Sequence, residues 1–165
     1  MNALISYWLF LIITFMISLF FIFKRGFHIV DLVMYLTLLC VSGIGERTFS
    51  IILELYYYVD IKYNQLFTLL YEILVYPACG YWFSLFFPKT KSFKNLSLYT
   101  LSWIVFLLVV EIFIIENLGI IKYTNWNIFP DSLIFYFVGL PIASIYYLFI
   151  LRLSESKGLF RKRDL

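Results

Sequence analysis

Residues 96–126 read LSLYTLSWIVFLLVVEIFIIENLGIIKYTNW, and this stretch decides the class of fold. Its first part, from Leu96 to Ile115, has the length and apolar character that an α-helix needs to cross a bilayer, which is about 20 residues. Glu111 lies inside that run. Because an ionised carboxylate that faces lipid costs several kcal/mol, we expect Glu111 to point towards protein or water. The stretch therefore predicts a transmembrane helix with an inward-facing acid near one end.

The composition of the whole chain agrees with this class. Of its 165 residues, 63% are hydrophobic and 14% are charged, and the mean hydropathy is +0.91. Soluble domains are about 45–50% apolar and about 25% charged, so this chain must bury much of its surface in lipid. A closed β-barrel needs alternating apolar and polar residues, whereas the apolar runs here are continuous. We therefore predict an all-α, polytopic transmembrane helical bundle.

Five apolar segments account for this bundle. They cover residues 5–23, 29–44, 65–87, 96–115 and 132–151. The second segment ends near Gly43 and Gly45, but apolar residues resume after Arg47. Residues 48–59 are therefore predicted either to extend the second helix or to form an interfacial helix. The run Tyr56-Tyr57-Tyr58 favours the interface, where amphipathic rings settle.

Positive charge predicts the orientation of the bundle. With five spans, the loops and tail on one side carry ten of the 13 Lys and Arg residues, and the other side carries Arg47, Lys62 and Lys122. Cytoplasmic loops are enriched in Lys and Arg, so we predict that the N-terminus lies outside and the C-terminus in the cytoplasm. The bundle would occupy residues 1–151. A basic cytoplasmic tail, 152–165, would follow and be attracted to anionic lipid.

Two acids lie inside the spans on the predicted outer side. With a rise of about 1.5 Å per residue, Glu72 lies roughly 10 Å and Glu111 about 6 Å from the outer ends of their helices. The candidate ligand or proton site consists of Glu72, Glu111, Tyr76, Asn117, Tyr123 and Trp126. Arg47 and Lys122 are the predicted ion-pair partners of the acids. The alternative is structural, because intramembrane acids also serve as hydrogen-bonded packing contacts.

The third span also carries a predicted packing face. Glu72, Tyr76, Cys79, Gly80 and Phe83 follow one another at helical spacing and form one stripe. The small members of this stripe would let another helix come close. In the second span, Asp31 lies near the start of the helix, where N-capping explains it.

Several chemistries lack the residues they need. Cys40 and Cys79 are lone thiols in apolar runs and His28 is the single histidine, so we predict no metal site and no cofactor. No GxSxG, HExxH or phosphate-binding glycine loop occurs. The net charge of +3 is spread over loops and tail, which indicates a membrane surface and not nucleic acid. The predicted partners are the lipid bilayer, a membrane protein or a second copy of the chain, and a small hydrophobic ligand.

The stretch from Tyr76 to Leu151 carries two further motifs, FFPKTKSFK and EIFIIENLGIIKYTNW. Their specific elements are Phe87-Pro88-Lys89, Glu111, Gly119, Tyr123 and Trp126. With these elements, about half of the chain resembles an uncharacterised family of small, roughly five-span integral membrane proteins of spore-forming, low-GC Gram-positive bacteria. The resemblance implies a multi-pass protein of the bacterial cytoplasmic membrane and no particular reaction.

Three functions are compatible with these features. The first is a non-enzymatic binding or accessory component of a larger membrane assembly, since five spans leave no soluble domain for chemistry. The second is a small transporter or a proton- or cation-conducting protein that uses Glu72 and Glu111 as ligands. The third is a membrane enzyme that acts on a lipid or isoprenoid, with the two acids as acid and base. We favour the first.

Overall fold

The computed structural model describes residues 2–156, and they form a bundle of five helices that are long and apolar enough to cross a membrane. The helices are α1 (Ala3–Arg25), α2 (Ile29–Glu46), α3 (Asn64–Leu85), α4 (Phe93–Val110) and α5 (Leu133–Ser156). Short π-helical segments lengthen three of them: Arg47–Ile52 continues α2, Glu111–Glu116 continues α4, and Ile128–Ser132 precedes α5. The predicted class of fold, a helical bundle, is confirmed.

The limits of the helices differ from the predicted segments at several ends. The second span continues to Ile52, so residues 47–52 follow the first alternative, a longer second helix. Residues 152–156 of the predicted tail belong to α5, and residues 157–165 lie outside the described residues.

A small antiparallel sheet joins two loops, which the sequence did not predict. Strand β1 (Tyr56–Tyr58) pairs with β2 (Ile121–Tyr123), with Tyr56 opposite Tyr123 and Tyr58 opposite Ile121. Side chains alternate across a strand, so Tyr56 and Tyr58 face one way and Tyr57 the other. Tyr58 is fully buried. The tyrosine run therefore forms a strand that packs on the bundle, and not the interfacial helix that the sequence favoured.

The sheet marks one end of the bundle. Tyr7, near the start of α1, packs its ring 4.9 Å from the ring of Phe67 and 6.4 Å from that of Tyr58, measured between centroids. We call this part of the molecule, formed by residues 2–11, 43–72 and 107–136, the sheet end. At the opposite end, Arg25 lies 5.9 Å from the ring centroid of Phe86.

Each end has its own apolar core. Tyr7, Leu11, Tyr58, Phe67, Tyr71 and Ile120 are among the buried residues of the sheet end. Val30, Met34, Phe83, Trp103 and Tyr147 form the core nearer the opposite end. Large apolar side chains also cover the outside, such as Met16, Ile13 and Phe137, each more than half exposed. Such a surface suits lipid and not water.

Helices α2 and α3 pack most closely where α3 carries a glycine. A Cβ atom on Gly80 would lie 2.8 Å from Leu38 Cδ1 and 3.2 Å from the backbone oxygen of Met34, both in α2. Gly80 belongs to the stripe of small residues on α3, and the predicted close approach of a neighbouring helix is confirmed there. Asp31 was predicted to cap α2, but the N-cap residue is His28 and Asp31 lies at the third helical position, where its carboxylate accepts a hydrogen bond from the backbone N–H of His28 (3.0 Å). The fully buried Asp31 also accepts one from the Ser84 hydroxyl of α3 (2.6 Å), which ties the start of α2 to α3.

Candidate functional site

Glu111 lies at the sheet end inside a set of hydroxyl donors. Its Oε1 atom accepts hydrogen bonds from Tyr123 (2.7 Å) and Ser132 (2.6 Å), and its Oε2 atom accepts one from Tyr136 (2.8 Å). The side chain is buried. Hydrogen bonds from neutral groups compensate a carboxylate for its lost water, so Glu111 is well accommodated without a counter-charge. We call Glu111, Tyr123, Ser132 and Tyr136 the Glu111 cluster.

The backbone around Glu111 positions these donors. Gly119 ends the helical segment with a φ of +66°, a left-handed conformation that suits glycine, and its N–H donates to Glu116 O (2.9 Å). The chain then turns back into β2, which carries Tyr123 towards Glu111. Trp126 adds a second layer, because its indole N–H donates to the Ser132 hydroxyl (2.7 Å). Trp126 therefore acts through Ser132 and does not touch the carboxylate itself.

A second buried acid, Glu46, lies at the last turn of α2 with a different set of neighbours. Tyr76 of α3 donates its hydroxyl to Glu46 Oε1. Glu46 Oε2 and the hydroxyl of Tyr58 are both buried and make no hydrogen bond within residues 2–156. Glu46 is only 3% exposed, and the hydroxyls of Tyr58 and Tyr56 interact with its carboxylate more weakly than that of Tyr76. We call Glu46, Tyr58 and Tyr76 the Glu46 cluster.

The tyrosines of the sheet stay protonated over a wide pH range. Burial raises the pKa of the Tyr58 hydroxyl well above its usual value of 10.0, and the negative charge of Glu46 raises it further. Burial and Glu46 raise the pKa of Tyr56 in the same direction. For Tyr123, burial is again the main cause of the raised pKa and Glu111 is the second. These hydroxyls are therefore donors and not anions at neutral pH.

The third acid, Glu72, lies on a cleft of about 430 Å³ between α3 and the π-helical continuation of α2. The cleft is lined by Arg47, Ile51, Ile52, Gln65, Thr68, Leu69 and Glu72. Glu72 is buried and forms the floor, whereas Arg47 is exposed at the rim. The Arg47 charge attracts the Glu72 carboxylate, but no ion pair joins the two within residues 2–156.

The predicted site residues therefore divide between separate places. Glu111 and Tyr123 are together, with Trp126 behind Ser132, while Glu72 shares a cleft with Arg47. Tyr76 bonds to Glu46 and not to Glu72. The predicted ion pairs of the two acids do not form within residues 2–156.

The remaining two predicted residues lie at the surface of the sheet end. Asn117 is exposed beyond the end of the fourth span. Lys122 is also exposed, and its Nζ atom lies 5.7 Å from the ring centroid of Tyr57. Lys122 thus contacts the outer face of the sheet, whereas the acids lie beneath it.

Three residues of these clusters escaped the sequence reasoning, although the sequence carries a signal for each. Ser132 and Tyr136 are four residues apart at the start of the fifth span, so they face the same way on a helix. Glu46 follows two glycines that suggested the end of the second span. The apolar run TFSII after Arg47 was the sign that the helix continues and that Glu46 lies inside it.

Within residues 2–156, no three His, Cys, Asp or Glu side chains are grouped as a metal site. Fold and site together define a class: a bundle of five membrane-span-length helices with three buried acids at one end. No protein-family model, no curated protein and no solved structure matches the chain. The resemblance to the membrane protein family of spore-forming bacteria accordingly stays a prediction.

Proposed function

We propose that this chain is a non-enzymatic integral membrane protein that binds an amphiphilic small molecule in the cleft between α2 and α3. The observation that carries the proposal is a cleft that holds both Arg47 and Glu72, neither of which forms an ion pair within residues 2–156. A cation and an anion held apart without protein partners are free to bind opposite charges on a ligand. By contrast, the donors of the Glu111 cluster leave that acid little capacity for a ligand. We place this protein in the cytoplasmic membrane of a bacterium, as the resemblance implies.

The surroundings of the cleft support an amphiphile as the ligand. Ile52 is 72% exposed and Leu69 is 41% exposed, and both line the cleft next to its charged residues. Both lie on helices that are long and apolar enough to be membrane spans. A molecule with a polar head and an apolar tail would cover both kinds of surface.

Binding is tested with a matched pair of substitutions on α3. Leu69→Trp places a large ring in the cleft, whereas Leu66→Trp places one on an exposed position of the same helix that does not line the cleft. The purified protein is mixed with a phospholipid that carries a photoreactive acyl chain, and crosslinked residues are mapped by mass spectrometry. We expect crosslinks at residues 47–52 and 65–72 that Leu69→Trp removes and Leu66→Trp preserves. Crosslinks spread evenly over all five helices would refute the proposal.

We also propose that the sheet end faces outwards and the C-terminus faces the cytoplasm. Within residues 2–156, the opposite end and its loops carry Lys24, Arg25, Lys89, Lys91, Lys94 and Arg152, while the sheet end carries Arg47, Lys62 and Lys122. This asymmetry supports the orientation by the positive-inside rule. A cysteine introduced at Lys122 should react with a membrane-impermeant maleimide in intact cells, and one at Lys91 should react only after lysis. The reverse pattern contradicts the orientation.

A second candidate function, proton or cation movement, is favoured by one observation. Glu46 is buried, and Glu72, which lines the cleft, is close enough to Glu46 to influence it electrostatically. In proteoliposomes that contain a pH-sensitive dye, proton movement through this pair would be lost in Glu46→Gln and Glu72→Gln and kept in Glu116→Gln. Equal dye signals from protein-containing and empty vesicles would exclude this function.

A further inference from the structure

The two charges of the cleft specify more about the ligand than its amphiphilic character. Arg47 presents a guanidinium group, which matches phosphate oxygens with two parallel hydrogen bonds. Glu72 presents a carboxylate that makes no hydrogen bond within residues 2–156 and that suits a positively charged donor. A ligand with phosphate alone would satisfy Arg47 and be repelled by Glu72. A ligand with both charges satisfies both residues.

The position of the cleft along the spans fits a lipid headgroup. Arg47 is five residues before Ile52, the last residue of the second span, which is about 7–8 Å along the axis of a helix. Glu72 lies deeper, eight residues or about 12 Å after the first residue of α3. Because the ethanolamine is attached to the phosphate on the side away from the acyl chains, an ammonium on Glu72 requires a headgroup that folds back from Arg47 towards the bilayer centre. The apolar Ile52 and Leu69 lie beside these charges and would contact the acyl chains.

The lining also distinguishes between two kinds of ammonium group. Quaternary ammonium groups have no N–H to donate, and proteins recognise them with aromatic side chains. None of the seven residues that line the cleft is aromatic. Carboxylate and amide oxygens are available at Glu72 and Gln65, and these accept hydrogen bonds from a primary ammonium. The cleft is therefore suited to an ethanolamine headgroup and poorly suited to choline.

We infer that the cleft binds a phospholipid with a zwitterionic, primary-amine headgroup, phosphatidylethanolamine, with the phosphodiester on Arg47 and the ammonium on Glu72. This inference rests on the proposed function and names the ligand class of the same cleft. It assigns separate tasks to the two charged residues. Arg47 supplies affinity for any phospholipid, and Glu72 supplies the preference for a primary amine.

The full-length protein in detergent is titrated with phosphatidylethanolamine, phosphatidylcholine or phosphatidylglycerol that have identical acyl chains, and binding is measured by native mass spectrometry. For the wild type we expect tighter binding of phosphatidylethanolamine than of the other two by about tenfold, the scale of one charge-assisted hydrogen bond. Glu72→Gln should remove this preference and keep phosphatidylglycerol binding. Arg47→Gln should weaken all three lipids.

Matched controls come from the same end of the molecule. Glu116→Gln and Lys62→Gln each remove one exposed charge outside the cleft and should keep the wild-type preference. Thermal unfolding of each variant confirms that it is folded.

Three results would overturn the inference. Equal binding of phosphatidylethanolamine and phosphatidylcholine by the wild type would show that the primary amine is not recognised. If this equal binding still depends on Arg47, the proposed function stands without the inference. If neither Arg47→Gln nor Leu69→Trp reduces lipid binding, both the inference and the proposed function are wrong. Free phosphoethanolamine that competes as well as the lipid would show that the acyl chains contribute nothing.

Discussion

Two buried acids at the sheet end, Glu111 and Glu46, are held in contrasting ways. Glu111 receives three hydrogen bonds from hydroxyl groups, on both of its oxygens. Glu46 receives one from Tyr76 and weaker interactions from the hydroxyls of Tyr58 and Tyr56, and its second oxygen has no well-formed hydrogen bond within residues 2–156. Both acids are buried to a similar degree, so burial alone does not separate them. Glu111, whose carboxylate is fully hydrogen-bonded, therefore serves the fold. The candidate function lies on the Glu46 side of the sheet end, with the neighbouring cleft.

The largest expected effect comes from removing the carboxylate of the Glu111 cluster. Glu111→Leu would leave the hydroxyls of Tyr123, Ser132 and Tyr136 without their acceptor, so we expect a loss of about 3 kcal/mol or more of unfolding free energy. Unfolding in mixed detergent micelles, followed by circular dichroism, measures this loss. Glu116→Leu is the control, because Glu116 is exposed at the same end. If Glu111→Leu keeps its stability but loses lipid binding, the Glu111 cluster serves binding and not the fold.

The second effect concerns the helix pair that carries Glu46 and Glu72. A methyl group on Gly80 would meet the backbone oxygen of Met34 at 3.2 Å, so Gly80→Ala must push α2 and α3 apart and should cost about 2 kcal/mol. Gly139 of α5 is the matched control. A Cβ there meets nothing within 4 Å, so Gly139→Ala should gain about 0.5–1 kcal/mol from helix propensity.

The properties of Gly80→Ala also distinguish the Glu46 cluster from the Glu111 cluster. If Gly80→Ala alters lipid binding at the cleft while it leaves the tryptophan fluorescence of Trp126 unchanged, the Glu46 side responds to helix spacing and the Glu111 side does not. Unchanged stability of Gly80→Ala would show that α2 and α3 are less tightly packed than the structure indicates.

Sequence reasoning identified Glu72 and Glu111 as acids of the spans, but it found only some of their partners and missed Glu46. The cost of a carboxylate in lipid was enough to predict that Glu111 points inwards, and the motif around it already contained Tyr123 and Trp126. Ser132 lies in another segment, 21 residues away, and its contact depends on how α4 and α5 pack. The two strands were missed for a similar reason. Three residues show too little alternation to identify a strand, and β1 and β2 are far apart in the chain.

Glu46 shows how a helix boundary determines the interpretation of an acid. With the second span ending at Ile44, Glu46 belonged to a solvated loop and needed no partner. The helix continues instead through Arg47–Ile52, which buries Glu46 against α3 and places Arg47 in the cleft. A boundary shift of eight residues thus moves Glu46 into the bundle and Arg47 to the rim of the cleft. Such ends are the least certain part of a sequence prediction, and here the candidate function depends on one.

A third effect compares one tyrosine from each cluster. Tyr123→Phe removes a donor to Glu111 and should cost about 1–1.5 kcal/mol. Tyr58→Phe removes a buried hydroxyl that interacts with the Glu46 carboxylate more weakly than the Tyr76 hydroxyl does, so it should cost less than Tyr123→Phe, about 0.5 kcal/mol. Both variants are unfolded in the same micelles at pH 7. Equal losses for the two would mean that Glu46 holds the Tyr58 hydroxyl as firmly as Glu111 holds the Tyr123 hydroxyl.

The smallest effect appears at alkaline pH, and Tyr58 is one of several buried tyrosines that contribute to it. Its pKa is raised in the folded protein, by burial first and by Glu46 second, above the usual value of 10.0. Below pH 10 both folded and unfolded chains keep the proton, so Tyr58 adds no pH dependence there. Above pH 10 the unfolded chain releases the proton and the folded chain retains it, so stability falls as pH rises.

Half a pH unit above the unfolded pKa, this linkage amounts to about 0.8 kcal/mol for one tyrosine. Tyr58→Phe should therefore lose less stability between pH 9.5 and 10.5 than the wild type, measured by thermal unfolding. Tyr63→Phe removes an exposed hydroxyl and should follow the wild-type decline. Identical declines for wild type and Tyr58→Phe would place the Tyr58 hydroxyl in water, and the Glu46 side of the sheet end would then be open to solvent, like the cleft beside it.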